Sequence, residues 1–212
     1  MKITLFGATG AVGSQCLRQA VDAGHEVTVL VRSAAKLPAE LKERISIVEG
    51  DALCADDVWR AIGADTEAVL FAIGVDKHSM PNLCTEVSRH ILEALRGESA
   101  GRFIWCGGGS TFVEEDQITL GARFVRKFAE VFMSLRHHDK EHQYQLLKQY
   151  MDVKWFGVRP LQMREGELRR QYRIGFDRFN GFSNISFADC AHAMLGMLDD
   201  DTWLQKAPII QY

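Results

Sequence analysis

Three regularly spaced glycines near the amino terminus could form a phosphate-binding loop. Gly7, Gly10 and Gly13 lie in the segment GATGAVG, between an apolar run and a segment of helical periodicity. In such a loop the first glycine permits a tight turn, the second lets the backbone approach a diphosphate, and the third lets helix and strand pack closely. The free N–H groups at the start of the helix then bind the anion. The predicted dinucleotide-binding residues are Gly7, Ala8, Thr9, Gly10, Ala11, Val12 and Gly13.

The spacing of this loop differs by one residue from the GxGxxG dinucleotide fingerprint, so the motif alone has low specificity. Its context is more specific, because a strand, the loop, an amphipathic helix and a second strand follow one another in that order. A glycine-rich turn that binds no ligand is the alternative interpretation.

The end of the second predicted strand carries positive charge where NAD-specific proteins place a carboxylate. Arg32 and Ser33 follow the strand at residues 26–31, and Lys36 lies one helical turn further on. A carboxylate would repel a 2′-phosphate, whereas guanidinium, hydroxyl and ammonium groups can hydrogen-bond to it. We therefore predict NADP as the cofactor, with NADPH preferred over NADH. The alternative is that Arg32 is a solvated residue at a strand end.

The ends of the other predicted strands supply further candidate contacts to the cofactor. In a doubly wound sheet the carboxyl ends of the strands face the ligand crevice. Asp51 could accept a hydrogen bond from an adenine amino group, with Ala52 and Leu53 beside the ring, or could cap the following helix. The strand-end residues predicted to bind the cofactor are Asp51, Ala52, Ala72, Ile73, Gly74, Cys106, Gly107, Pro160 and Leu161.

Short β-rich runs alternate along the chain with segments of helical periodicity. The predicted strands lie at residues 2–6, 26–31, 45–49, 68–73, 103–106, 155–158 and 208–211. Right-handed crossovers between parallel strands place helices on both faces of a sheet. We predict an α/β fold in one domain, residues 1–212, with a Rossmann-type, doubly wound, mainly parallel sheet. Residues 111–136 interrupt the alternation and predict an extra helix on the substrate side.

The bulk composition argues against several classes of partner. The chain has 212 residues and a formal net charge of -3, which gives no reason to expect nucleic acid or a membrane surface. No apolar run reaches the length of about 18 residues that a membrane span needs. Five scattered cysteines without a CxxC pair favour a reducing compartment over a disulfide framework or a zinc site. We expect a cytoplasmic protein that is a monomer or a weak homodimer and acts on a small planar substrate.

Several segments together resemble the atypical short-chain dehydrogenase/reductases. These segments are GATGAVGS, LVRS at the end of the second strand, EGD after the third, WFGVRP, and ISFADCAHAML. Within that family the chain is most similar to the NADPH-dependent flavin reductase/biliverdin reductase B type (NmrA-like), especially in AVDAGHEVTVLVRSAAKLPAE. The resemblance implies a Rossmann-type sheet that binds NAD(P)H. Many members reduce flavins or quinones, and some only sense the dinucleotide.

Short-chain reductases usually carry a catalytic serine after strand five and a Tyr-xxx-Lys pair on the next helix. Ser110 matches the serine, and Tyr144 with Lys148 spells the pair. Counted back from the Arg-Pro pair at 159–160, however, the family lysine corresponds to Lys140 and the family tyrosine to Arg136. This departure is typical of the flavin-reductase type. The biliverdin-reducing type has a histidine where this chain has Gln162, which disfavours tetrapyrrole reduction.

Three functions therefore remain open. The first is an NADPH-dependent oxidoreductase that transfers hydride to a flat acceptor such as free flavin or quinone. The second is a non-catalytic, NADP(H)-sensing regulatory protein. The third is a carbonyl reductase that uses Ser110, Tyr144 and Lys148.

Three further groups of side chains have a structural and a functional interpretation. Phenylalanines 112, 124, 128 and 132 could line a substrate pocket, but their helical spacing favours packing into the core or an interface. His138 and His142 have the i,i+4 spacing of zinc-binding helices, but we find no third ligand and expect no metal. The arginines at 164, 169, 170 and 173 could bind a substrate phosphate, but alternating glutamates favour a charged surface loop.

Overall fold

The computed structural model describes residues 1–96, 101–117, 119–177 and 183–212. Strands within these residues are β1 (Lys2–Phe6), β2 (Glu26–Val31), β3 (Ser46–Glu49), β4 (Ala68–Phe71), β5 (Arg102–Cys106), β6 (Lys154–Pro160), β7 (Gln162–Arg164), β8 (Arg173–Gly175), β9 (Asn184–Ser186) and β10 (Ile209–Gln211). Helices are α1 (Ala11–Asp22), α2 (Ala39–Lys42), α3 (Ala55–Ala61), α4 (Leu83–Arg96), α5 (Leu120–Phe132), α6 (Ser134–Leu147) and α7 (Phe187–Gly196), together with a short 3-10 turn at Ala34–Lys36.

One sheet forms the centre of the molecule, in the strand order β3-β2-β1-β4-β5-β6-β10-β8. The pairs from β3 to β10 are parallel, and β8 adds to the edge antiparallel to β10. In β1, Leu5 pairs with Val29 on one side and Leu70 on the other, and all three side chains are buried. Strands buried on both faces are the arrangement that crossover helices impose. The predicted fold, an α/β doubly wound, mainly parallel sheet, is confirmed.

The two faces of the sheet are covered by different helices. Apolar side chains of α1 and α7 pack on one face, and those of α3, α4 and α6 pack on the other. In α1 the buried residues include Cys16, Leu17 and Ala20, which recur at the spacing of one helix face. Because this helix packs directly behind the glycine loop, the core fixes the position of the loop.

Several short elements were not predicted from the sequence. Strands β7 and β9 form a separate two-stranded sheet, and β8 extends the main sheet. Each has three residues, which is too short for an alternating pattern to be recognised. Helix α6 begins at Ser134, directly after α5. None of the helices in the described parts of the chain is long and apolar enough to cross a membrane.

Candidate functional site

The glycine loop has a backbone conformation that side chains would disrupt. Gly7 has a φ of 87°, and a Cβ there would lie 2.7 Å from the carbonyl carbon and oxygen of Ala72. A Cβ on Gly13 would lie 2.0 Å from the Gly7 carbonyl oxygen, so α1 can approach the loop only with glycine at this position. The N–H of Gly10 donates to the Gly7 carbonyl at 2.9 Å, which closes the turn.

The first turn of α1 has no side-chain partner for its N–H groups. Gly10 is the N-cap, no side chain caps the helix, and no acidic residue lies in the first turn. The amides at this end therefore present partial positive charge toward the loop. This arrangement suits an anion, as the sequence predicted.

A cleft of about 600 Å³ opens above this loop, across the carboxyl ends of the first four strands. We call it the glycine-loop cleft. It is lined by Gly7, Ala8, Thr9, Gly10, Leu30, Val31, Arg32, Gly50, Asp51, Ala52, Leu53, Ala72, Ile73, Gly74, Asp76, His78, Ser79, Met80 and Leu83. Ten of these residues were predicted cofactor contacts: Gly7, Ala8, Thr9, Gly10, Arg32, Asp51, Ala52, Ala72, Ile73 and Gly74. Ala11, Val12 and Gly13 lie behind this lining as the first residues of α1.

Of the three residues predicted to bind the 2′-phosphate, only Arg32 lines the cleft. Arg32 is exposed, lines the cleft, and has no hydrogen bond or ion pair within the described residues. Ser33 and Lys36 are absent from the lining, because the chain turns away into the 3-10 turn immediately after Ser33. The neighbouring carboxylate of Glu49 is engaged, since its Oε1 accepts from the Ala34 N–H at 2.6 Å.

Asp51 organises the loop that follows β3. Its Oδ1 accepts from the Leu53 N–H at 3.0 Å, and its own N–H donates to Asp57 Oδ2 at 2.8 Å. The N-cap of α3 is Cys54, so the alternative role of Asp51 as the cap of that helix is wrong. The turn leaves Asp51, Ala52 and Leu53 in the cleft wall, as predicted for an adenine pocket.

A second cavity, of about 290 Å³, lies beyond the carboxyl ends of β5 and β6. We call it the α5–α6 pocket. It is lined by Gly108, Gly109, Ser110, Phe124, Val125, Phe128, Ala129, Met133, Arg136, His137, Lys140, Pro160, Leu161 and Gln162. Pro160 and Leu161, which the sequence assigned to the cofactor, line this cavity and not the cleft. The predicted contacts Cys106 and Gly107 line neither cavity; both are buried, and a Cβ on Gly107 would lie 2.7 Å from the Trp105 ring.

The aromatic side chains of α5 are mostly exposed. Phe124, Phe128 and Phe132 are 65%, 49% and 72% exposed, so these three do not pack into the core of the chain; packing at an interface stays a prediction. Periodicity could not distinguish the two environments, because a helix that covers a cavity has the same apolar spacing as one that covers a core. Phe124 and Phe128 form one wall of the α5–α6 pocket. Phe112 packs elsewhere, under the guanidinium of Arg126.

Lys140 connects the two cavities. Its side chain is 4% exposed and lines the α5–α6 pocket, and its Nζ donates to the carbonyl of Ile73, a cleft residue, at 3.5 Å. The same ammonium donates to the Cys106 carbonyl at 3.1 Å and to Gln143 Oε1 at 3.0 Å. The register argument, which identified Lys140 as the family lysine, thus selects a residue at the junction of the cleft and the pocket.

Ser110 has a partner that the sequence did not suggest. The Oγ of Ser110 lies 3.1 Å from Nδ1 of His137, and both residues line the α5–α6 pocket. Burial, with the charges of Arg126 and His138, lowers the pKa of His137, which favours the neutral imidazole. The separation of 27 residues matches no motif. The available signal was the i,i+3 spacing between His137 and Lys140, which places both on one helix face.

Tyr144 and Lys148 lie away from both cavities. Tyr144 is buried in an aromatic cluster, with its ring 6.1 Å from that of Trp105 and 6.3 Å from that of Trp155. Burial raises the pKa of Tyr144 to about 12. The Lys148 ammonium lies over the tyrosine ring, at 5.2 Å, and faces Glu114. The structure therefore does not bring this Tyr-xxx-Lys pair to the cleft or the pocket.

A buried polar network attaches α6 to the rest of the fold. The carboxylate of Asp139, 1% exposed, accepts from the Cys84 N–H at 2.8 Å, the Thr85 N–H at 3.0 Å and the Thr85 hydroxyl at 2.7 Å. It thus caps the N-terminus of α4 from a distant helix. Gln143 accepts from Trp105 Nε1 at 2.6 Å and donates to Ser88 at 2.6 Å. These bonds hold the pocket face of α6 in position.

The remaining candidate groups lie outside the two cavities. His142 contacts Asn82 Oδ1 through Nδ1 at 2.9 Å, and His138 is exposed. Within the described ranges no group of three His, Cys, Asp or Glu side chains could hold a metal ion. The four arginines between 164 and 173 line neither cavity, and the N–H groups of Arg169 and Arg170 donate to Asp189.

Several known proteins are similar to this chain in sequence or in fold. A family model described as NAD(P)H-binding matches residues 7–201. The uncharacterized protein YwnB of Bacillus subtilis (strain 168) is 29% identical over 211 residues, covering 94% of this chain and 92% of YwnB. A solved structure from Bacteroides thetaiotaomicron, provisionally called an epimerase, has a TM-score of 0.81 at 27% identity, covering 100% of this chain and 96% of that one. One from Streptococcus pneumoniae TIGR4, provisionally called an NADH-flavin reductase, has a TM-score of 0.78 at 24% identity, covering 100% of this chain and 99% of that one.

Proposed function

The chain belongs to the NAD(P)H-binding family, and from that premise we propose that it is an NADPH-dependent oxidoreductase that transfers hydride to a flat acceptor such as free flavin or quinone. The observation that carries the proposal is that one residue contacts both the glycine-loop cleft and the α5–α6 pocket. Lys140 lines the α5–α6 pocket and donates to the Ile73 carbonyl in the wall of the glycine-loop cleft.

The glycine-loop cleft fits a dinucleotide. A Cβ would fill the space at Gly7 and Gly13, and the first amides of α1 have no side-chain cap. Those amides would hold the diphosphate. Arg32 would hold the 2′-phosphate that distinguishes NADPH from NADH. The reduced nicotinamide supplies the hydride when the cofactor is bound.

The α5–α6 pocket suits a planar acceptor. Phe124 and Phe128 contribute aromatic rings to its lining, and Gly108 and Gly109 line it without side chains. A Cβ at Gly109 would lie 2.9 Å from the Cα of Leu161. A flat ring held in such a pocket displaces water and is oriented toward the cofactor, which is the protein's main contribution to hydride transfer.

Ser110 and His137 are the groups placed to manage the proton. The serine hydroxyl lies in the pocket wall, and the histidine ring at 3.1 Å can exchange a proton with it. Hydroxyl and imidazole together can hold a proton and hydrogen-bond a carbonyl of the acceptor. Tyr144 lies in a separate aromatic cluster, and this placement disfavours a carbonyl reductase of the Ser-Tyr-Lys type.

Consumption of NADPH with FMN, riboflavin and simple quinones tests the proposal, with flavin reduction followed anaerobically by absorbance. We expect turnover with at least one acceptor. Ser110→Ala should reduce kcat at least about 100-fold, as expected when one positioned proton-transfer group is lost. The matched variant Tyr144→Phe should leave kcat unchanged. Tight NADPH binding without turnover of any acceptor would refute the proposal and favour a dinucleotide sensor, and loss of activity in Tyr144→Phe alone would favour a carbonyl reductase.

A further inference from the structure

The charges that line the α5–α6 pocket are of one sign. Arg136 and Lys140 contribute positive charge, His137 is a third basic group, and no aspartate or glutamate is among the lining residues. The other walls are apolar or neutral. A cavity of this kind is complementary to a ligand that is flat, apolar and negatively charged at one point.

The two cations are not equivalent, because one is already engaged by the protein. The Lys140 ammonium is buried, donates to two backbone carbonyls and to Gln143, and lies over the ring of Phe71. Arg136 is half-buried, and its side chain has no hydrogen bond or ion pair among the residues that the structure describes. Its guanidinium is therefore the cation of the pocket that remains available to a ligand.

The charge of Arg136 also acts on the buried thiol of Cys106, which does not line the pocket. A hydrogen bond with Cys190 lowers the pKa of the Cys106 thiol, and the charges of Lys140 and Arg136 act in the same direction. Cys106 ends β5, and its carbonyl accepts from Lys140. Arg136 and Lys140 thus act on the same strand end, and both line the α5–α6 pocket.

A guanidinium cannot act as a proton donor at neutral pH, because its pKa exceeds about 12. It is instead suited to a carboxylate, sulfonate or phosphate, which it can bind through two parallel hydrogen bonds. We propose that the acceptor is an anion, whose acid group binds to Arg136 while its ring lies against Phe124 and Phe128. This inference rests on the proposed function, since it names the substrate class of the same pocket.

Pairs of acceptors that differ in one acid group test the inference. Riboflavin and FMN share a ring system, as do menadione and 1,4-naphthoquinone-2-sulfonate. Dissociation constants are measured with NADP⁺ present, by flavin fluorescence quenching for the first pair and calorimetry for the second, and kcat/KM is measured with NADPH. We expect the wild-type protein to bind the anionic member of each pair about 10-fold more tightly. This factor is at the low end of the range for a hydrogen bond to a charged group, because Arg136 is only half-buried.

Two substitutions separate the role of Arg136 from a general effect of positive charge. Arg136→Met should abolish the preference for the anion and leave binding of the neutral partner unchanged. Arg136→Lys should retain part of the preference and serves as the folding-compatible variant. The control Arg123→Met removes an exposed arginine of α5 that does not line the pocket, and it should retain the wild-type preference.

The outcomes distinguish this inference from the proposed function. A preference for the anion in either pair that disappears in Arg136→Met supports the inference, even where no acceptor is turned over and the proposed function fails. Equal affinities within both pairs, or a preference that Arg136→Met retains, would overturn the inference. An Arg136→Met effect on kcat alone, equal for neutral and anionic acceptors, would also overturn it, because Arg136 would then act on the reaction and not on an acid group.

Discussion

Replacement of Arg32 is the most direct test of how this chain selects its cofactor. Arg32 lines the glycine-loop cleft and has no partner in the described structure, so its removal breaks no internal bond. A hydrogen bond to a charged group contributes about 1.5–3 kcal/mol, or about 10- to 100-fold in affinity. Because Arg32 is exposed, screening places the expected effect near 10-fold. Arg32→Ala should therefore weaken NADPH binding about 10-fold and leave NADH binding unchanged.

Arg32→Asp should have a larger effect, because repulsion is added to the lost attraction. Two unit charges about 4 Å apart near a protein surface interact by about 1–4 kcal/mol, which adds at least about 5-fold. The variant should thus favour NADH. Dissociation constants for NADPH and NADH are measured by calorimetry in low and high salt, and the difference between the two cofactors should shrink as salt increases.

Lys36 is the matched control for this experiment. It is another exposed cation of the same segment but does not line the cleft, so Lys36→Ala should change the NADPH/NADH ratio less than about twofold. An unchanged ratio in both Arg32 variants would refute the assignment of the 2′-phosphate site. A large effect of Lys36→Ala would show that the segment after β2 adopts another arrangement when the cofactor binds.

Three further predictions concern the elements that support the site. Gly13→Ala should lower the free energy of unfolding by at least about 2 kcal/mol and abolish cofactor binding, since its Cβ would lie 2.0 Å from the Gly7 oxygen. The control Gly196→Ala, which has open space around it, should leave the free energy of unfolding in urea unchanged. Asp139→Ala should cost about 3–5 kcal/mol, because the buried N–H groups of Cys84 and Thr85 lose their acceptor and the Thr85 hydroxyl keeps only the backbone carbonyl of residue 139. The exposed Asp152→Ala should cost little, and equal effects would contradict the capping role. Burial lowers the pKa of His137, so the unfolded chain binds more protons than the folded one. The free energy of unfolding should therefore fall as the pH decreases through about 6.5 toward the folded-state pKa. His137→Gln should flatten this part of the pH profile, and an identical slope would refute the assignment.

The strands of the sheet were predictable because each is marked by a local sequence pattern. Each parallel strand is an apolar run such as Val69, Leu70 and Phe71, bounded by polar or glycine residues, and the crossover rule orders these runs. The glycine loop was predictable for the same reason, since Gly10 and Gly13 both contact the Gly7 carbonyl within seven residues of chain. Arg32 follows from its position at a strand end. The loss of Ser33 and Lys36 from the cleft depends on a 3-10 turn of three residues, which has no clear sequence signal.

The α5–α6 pocket was only partly predictable, because long-range contacts form it. Ser110 meets His137 across 27 residues, and Asp139 caps α4 across about 55 residues. No spacing rule connects such pairs in a single sequence. The apolar periodicity of α5 was visible, but periodicity does not say whether the facing volume is core or cavity.

The geometry of α6 explains why the visible Tyr-xxx-Lys pair is misleading. The pairs Arg136/Lys140 and Tyr144/Lys148 both satisfy the i,i+4 rule, so each pair shares a helix face. Eight residues separate the two pairs, which is a translation of about 12 Å along the axis and a rotation of about 80°. Only one pair can therefore occupy a given place at the sheet edge, and the bonds of Lys140 to Ile73 and Cys106 place the first pair there. In the register that the family resemblance implies, Arg136 stands where the short-chain reductases carry a proton-donating phenol. Under the proposed function the proton would therefore come from another group, and Ser110 with His137 is the pair that the pocket provides.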